Sequence, residues 1–192
     1  ELLERYRDDA KVMAITGLNR QPDNRDYDHS YYFSCYNHVW GWASWRRAWA
    51  VYDRNLDTLE STKTAEILDQ ISDIPGFREY WMKNFRAVRD GKIDTWDYSW
   101  LLTCWMHGGL TCTPSQNLIQ NIGFGPDATH TTNPNSKQAQ MVAQPLTLPL
   151  THPEIIERSR RNDDYVSKME YGIRLSRHIK NRLRRLFTGR DS

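Results

Sequence analysis

Short apolar, β-prone runs alternate with helix-period segments along this chain, and that alternation restricts it to an α/β fold. Residues 11–16 (KVMAIT) are apolar and end at Gly17, which predicts a buried strand. Residues 30–34 (SYYFS) are aromatic and predict a second strand. Residues 110–113 predict a short third, and 118–121 are a candidate fourth. Residues 2–7 read as a helix end. Helical period runs over 65–71 and 77–88, separated by Pro75-Gly76, and over 97–107, which Gly108-Gly109 closes. Trp42, Trp45 and Trp49 stand at i, i+3 and i+7, which predicts one helical face. Residues 133–153 carry four prolines and predict an irregular surface path. Residues 155–186 are helical by period, in one piece or two. The expected architecture is a mixed sheet flanked by helices over 1–153, followed by a basic amphipathic helical extension over 154–192.

Composition adds one point: the chain holds 8 Trp and 10 Tyr in 192 residues. Indoles suit cores, interfaces and sugar platforms alike. The net charge of +2 excludes nothing, but from Tyr171 to Arg190 there are many basic residues and no acidic one. Met169, Ile173, Ser176, Ile179, Leu183 and Leu186 form a stripe there, with basic residues between Arg174 and Arg185 around it. Such a helix fits an anionic membrane face or its own domain equally well. No nucleic-acid recognition module accompanies the patch, so no nucleic-acid partner is expected. Three cysteines without metal-type spacing fit a reducing cytoplasm, and no apolar run is long enough to cross a bilayer. The expected location is the cytoplasm, at the inner face of its membrane if the basic helix binds lipid. The chain opens on Glu1 within a helix-like segment, which reads as truncation.

Three segments carry candidate chemistry. The first is HVWGWASWRRAW, residues 38–49, where Gly41 between two indoles permits close backbone approach and Trp42 offers a face for sugar C–H groups. The second is DTWDYSW, residues 94–100. A carboxylate at a helix N-terminus sits at the positive end of the helix dipole. Asp97 or Asp94 there is either a general base for an acceptor hydroxyl or a helix cap. The third is NIGFGPDATHT, residues 121–131, where Gly123, Gly125, Asp127 and His130 suit a phosphate or a metal. No helix follows the G-x-G, so it is not a dinucleotide fingerprint. The acidic pairs Asp8-Asp9 and Asp163-Asp164 follow no apolar strand and read as solvated turns.

In series, SYYFSCYNHVWGWASWRRAW, DTWDYSW and NIGFGPDATHT resemble the C-terminal half of bacterial GT-A-type nucleotide-diphospho-sugar glycosyltransferases, related to family 2. The resemblance spans most of residues 11–152. It implies a partial GT-A fold and an inverting, metal-dependent transferase that builds envelope polysaccharide. The donor would be a nucleotide sugar and the acceptor a glycan or lipid-linked glycan. It implies a donor-sugar loop at Gly41, Trp42, Ala43 and Ser44, with Trp96 against the substrate and Gly123 and Gly125 in the later loop. Asp97 would be the base, with Asp94 in reserve, and His130 would complete a Mn2+ or Mg2+ site. The family's usual Glu-Asp pair at the base position is Trp96-Asp97 here. The acidic D-x-D motif and the nucleotide-binding half are expected upstream of Glu1. The rival expectation is a non-catalytic carbohydrate-binding or interaction module, with indoles as platforms and Asp97 as a cap.

Overall fold

The computed structural model describes residues 1–22, 25–123 and 139–173. A four-stranded mixed sheet carries helices packed around it, in the order α1 (Leu2–Arg5), β1 (Val12–Thr16), β2 (Tyr31–Ser34), β3 (Trp42–Ser44), α2 (Arg46–Trp49), α3 (Thr62–Ile71), α4 (Phe77–Arg89), α5 (Asp97–Met106), β4 (Leu110–Pro114) and α6 (Arg160–Met169). The spatial strand order is β2-β4-β1-β3. β1 and β4 run parallel, with Ile15 opposite Cys112, while β3 and β2 pair antiparallel at either side. The chain between β1 and β4 contains α2 to α5, so the helical layer is the long crossover that a parallel pair requires.

The core follows from apolar spacing. On α4, Phe77, Trp81 and Phe85 recur at i, i+4 and i+8 and are fully buried. α3 turns Leu68 and Ile71 to the same cluster, and the Ser61 hydroxyl caps its start by accepting from the Thr64 N–H at 3.2 Å. α5 is buried on nearly every side from Ser99 to Trp105, as a helix apolar all round must be. Its Leu101, Leu102 and Trp105 meet α3 and α4, and its Trp100 and Cys104 meet Met13 of the sheet. Each fully buried leucine or phenylalanine here contributes about 1.5–3 kcal/mol.

Four local expectations yield to tertiary pairing. The indoles at 42, 45 and 49 do not share a helical face. Trp42 pairs with Thr16 on β3, Trp45 is extended, and only Trp49 belongs to the four-residue α2. The ladder to β1 satisfies that backbone more fully than a helix this short would. Residues 118–121 form no strand, because both sides of β1 are already taken. The Asn117 side chain holds this segment instead, donating to the Ile119 and Val142 carbonyls at 2.7 and 3.0 Å. Residues 155–158 are not helical, since they run along the outer edge of β2, where the Ser159 N–H donates to the Phe33 carbonyl at 2.8 Å. Helix begins only at Arg160, and the basic segment from Arg174 to Arg185 lies outside the described residues.

The fourth concerns Asp163, which is no solvated turn but is completely buried in α6. Its carboxylate accepts from the Ser34 hydroxyl at 2.6 Å, from the Cys35 N–H at 3.1 Å and from the Arg158 guanidinium, placed at 2.5 Å. A buried carboxylate is tolerated only when paired and hydrogen-bonded in this way. Among the described residues, no helix is long and apolar enough to cross a membrane.

Candidate functional site

The expected site residues gather where β1 ends, where the segment after β2 turns into β3, and where α5 begins. Gly17 and Gly41 make the junction between the first two. The Gly17 N–H donates to the Gly41 carbonyl at 2.8 Å, and the Thr16 hydroxyl donates to the Trp40 carbonyl at 3.3 Å. Gly41 adopts φ +56°, a left-handed conformation that favours glycine. A Cβ on Gly41 would lie 2.6 Å from the Ile119 Cγ2, and one on Gly17 would lie 2.7 Å from it. The close neighbour at Gly41 is therefore a side chain of the chain itself. Ala43 pairs with Ile15, and the Ser44 hydroxyl donates to the Met13 carbonyl at 2.7 Å, so both belong to the sheet.

Trp42 projects from β3 into a group of aromatic rings. Its ring centre is 5.3 Å from that of Trp96, and Trp49 lies 4.9 Å from Trp100 and 4.5 Å from Tyr52. Pairs at such spacing add about 0.5–1.5 kcal/mol each beyond burial. Trp100 is fully buried beneath, while Trp49 and Trp96 remain 41% and 42% exposed. These two open indoles meet edge to face, 5.9 Å apart with their planes at 72°.

Asp97 follows Trp96 as the first residue of α5, with Trp96 at the N-cap position. No side chain caps this helix start. The Asp97 carboxylate instead accepts from the Thr95 hydroxyl. Asp94 is exposed on the preceding turn. The Asp97 charge is felt at three tyrosines, Tyr52, Tyr98 and Tyr171. Burial, then Tyr80, then the Asp97 charge push Tyr98 up to about 12. Burial raises Tyr171 further, with Asp97 adding to the rise and Arg20 opposing it.

Four further residues, Arg20, Tyr171, Tyr36 and His38, lie on the far side of the Gly41 segment's start, and none was among the expected site residues. Arg20, just beyond β1, lies with its guanidinium 5.4 Å from the Trp40 ring centre and pairs with Glu170 at 2.7 Å. Tyr171 follows Glu170 and packs 5.3 Å from Tyr36. Tyr36 in turn stacks on His38 at 6.1 Å, with the rings 11° from parallel. Tyr36 is itself fixed, its hydroxyl 2.7 Å from that of Ser167 and its N–H donating to the Ser34 hydroxyl at 3.0 Å. Burial and the Arg20 charge push His38 down to about 3, so its imidazole is neutral across the physiological range. His38 opens the HVWGW segment, which was the available signal. Arg20 and Glu170, with Tyr171 beside it, are brought in only by the fold, Arg20 and Glu170 standing 150 residues apart.

Of the third motif, Gly123 is exposed, with its N–H donating to the Asn121 side chain at 2.8 Å. Gly125 and His130 lie outside the described residues. Among the described residues, no three His, Cys, Asp or Glu side chains come together to hold a metal ion. Comparison of the chain with protein-family models, curated proteins and solved structures returns no match.

Proposed function

We propose that this chain is the acceptor-side part of a GT-A-type glycosyltransferase that moves a sugar from a nucleotide-diphospho-sugar to a glycan or lipid-linked acceptor. The observation that carries the reading is a carboxylate, Asp97, at the first residue of a buried helix, beside an open indole, Trp96, that pairs with Trp42. Sugar transfer needs that combination: an apolar face to orient the ring and a base within reach of one hydroxyl. Asp97 takes the proton of the acceptor hydroxyl as its oxygen bonds to the anomeric carbon. The bond from that carbon to the diphosphate oxygen breaks, and its electron pair leaves with the nucleotide diphosphate. One such displacement inverts the anomeric centre. Trp42 and Trp96 hold the sugar and acceptor, which lowers the entropic part of the barrier.

A divalent ion, Mn2+ or Mg2+, would neutralise the departing diphosphate. The described residues do not by themselves supply its ligands, so no step is routed through it. Contact of the basic segment between Arg174 and Arg185 with a cytoplasmic membrane surface belongs to the same reading, because it would bring the enzyme to a lipid-linked acceptor.

The test is nucleotide diphosphate release by the full-length protein over a panel of sugar nucleotides, with and without Mn2+, alongside Asp97→Asn. The expected result is release with one donor and a loss in kcat of about 10²–10⁴ in the variant, with donor affinity retained. Turnover by Asp97→Asn at the wild-type rate removes the base assignment. No release and no binding with any donor moves the assignment to a non-catalytic carbohydrate-binding module, a role that the open faces of Trp49 and Trp96 also suit.

A further inference from the structure

Exposed aromatic residues connect the start of α5 to a cavity further along the same helix. The ring centres of Trp96 and Trp49 are 5.9 Å apart, and those of Trp49 and Tyr52 are 4.5 Å apart. The Tyr52 hydroxyl donates to the Trp96 carbonyl at 3.1 Å, so one tyrosine side chain spans from the start of α5 to the segment after α2. Tyr52 also lines a cavity of about 410 Å³, together with Asn55, Asp57, Thr103 and His107. Its volume falls in the range of small-ligand sites. Thr103 stands six residues beyond Asp97 on α5 and His107 ten, which is about 9 and 15 Å along the helix axis.

The wall of the cavity is fixed. The Asp53 carboxylate accepts from the Asp57 and Thr58 N–H groups at 3.0 and 3.1 Å and from the Thr58 hydroxyl at 3.0 Å. The Asp53 N–H donates to the Thr103 hydroxyl at 3.1 Å, which ties this turn to α5, and Leu56 is buried beneath it. The side chains of Asn55, Asp57 and His107 are exposed at the same place and make no hydrogen bond or ion pair among the described residues. A wall held in place before binding costs little ordering when a ligand arrives.

On the transferase reading above, we propose that the surface from Trp96 across Trp49 and Tyr52 into this cavity is a track for the acceptor, and that the acceptor is an uncharged glycan chain of two or more sugars. Distance selects a chain, because a sugar whose hydroxyl reaches Asp97 does not extend to Thr103 and His107, whereas the next sugars of a chain do. The order of residue types selects a glycan. Exposed rings suit the C–H faces of sugars, and the amide, carboxylate and imidazole beyond them suit hydroxyls. Charge selects a neutral chain, since Asp53 and Asp57 outnumber Arg54 in the cavity lining and Asp97 stands at the other end.

The test is a titration of intrinsic tryptophan fluorescence with manno- and chito-oligosaccharides of two to five sugars, set against methyl mannoside, methyl N-acetylglucosaminide and tetragalacturonate. It uses the wild type, Asn55→Ala and His107→Ala. Both side chains are exposed, and near-ultraviolet circular dichroism checks the fold. For one of the two neutral series, affinity should rise about 10-fold or more from monosaccharide to tetrasaccharide, and each variant should lose about 3- to 10-fold on the tetrasaccharide alone. In the full-length protein, the same variants should raise KM for a tetrasaccharide acceptor more than for a monosaccharide. Binding that does not grow with chain length, binding that neither variant alters, tighter binding of tetragalacturonate, or no binding of any oligosaccharide overturns the track. Length-dependent binding that the variants weaken, in a protein that releases no nucleotide from any donor, supports the track and overturns only the transferase reading.

Discussion

His38, stacked on Tyr36, carries the most telling single-residue physics in the molecule. A free histidine titrates near pH 6.5, but burial and the Arg20 charge hold this one down to about 3. Between those two values the unfolded chain binds a proton that the folded chain refuses. Stability therefore falls as pH falls through that window, by at most about 1.4 kcal/mol per pH unit. Over pH 6.5 to 5 most carboxylates have not begun to titrate, so the slope there belongs largely to histidines. Urea unfolding across that range should show a shallower slope for His38→Gln than for the wild type, and an unchanged slope would mean that the imidazole is solvated in the folded chain. Asp97 presents the opposite case. Its role was legible as two alternatives, base or cap, and the structure removes only a side-chain cap, because its carboxylate turns to the Thr95 hydroxyl. Reading a carboxylate before a helical run leaves its partner open, since the partner is chosen by the geometry of the preceding turn.

Elements that bury one wide face were legible, and elements whose identity depends on a distant partner were not. α4 and α5 follow from apolar spacing and from closing glycines, which are local signals. β3 is the counter-example. The indole spacing at 42, 45 and 49 matches a helix, but the neighbouring edge of β1 claims residues 42–44 first. The junction that makes this possible is the pair Gly17 and Gly41 beneath Ile119. An alanine at 17 would bring its Cβ within 2.7 Å of the Ile119 Cγ2 and 3.2 Å of the Gly41 carbonyl oxygen. Overpacking of this kind costs about 1–3 kcal/mol, so Gly17→Ala should unfold at lower urea. Ile119→Ala removes the opposing methyl, and the double variant should recover part of the loss. Strict additivity of the two changes would show that the strain lies elsewhere in the junction.

At the scale of the whole molecule, the C-terminal part of the described chain closes the sheet and fixes the site together. Residues 151–159 cover the outer edge of β2, with Thr151 accepting from the Ser30 N–H at 3.0 Å and Phe33 accepting from Ser159. An edge left open would be a template for pairing with other chains. The α/β class was legible from alternation alone, but this closure was not, because its anchor is a charge that composition places at the surface. Asp163 is completely buried and bonds Ser34, 129 residues away, together with the Cys35 N–H and Arg158. Arg158 also donates to the Ile71 carbonyl at 2.6 Å, which ties α3 to the same point. Ser34 and Ser167 then orient Tyr36, on which His38 and Tyr171 rest. Asp163→Asn keeps the shape and the acceptor for Ser34 but leaves the Arg158 charge, only 17% exposed, without its counter-ion. Breaking a buried pair from one side costs about 3–5 kcal/mol. Replacing the arginine as well, by Arg158→Met, removes the orphaned charge, so the double variant should be more stable than Asp163→Asn alone. Urea unfolding of the four species measures that coupling directly. A double variant whose loss equals the sum of the two single losses would mean that the pair is not what joins α6 to β2, and that the packing of Val166 against the helical core does so instead.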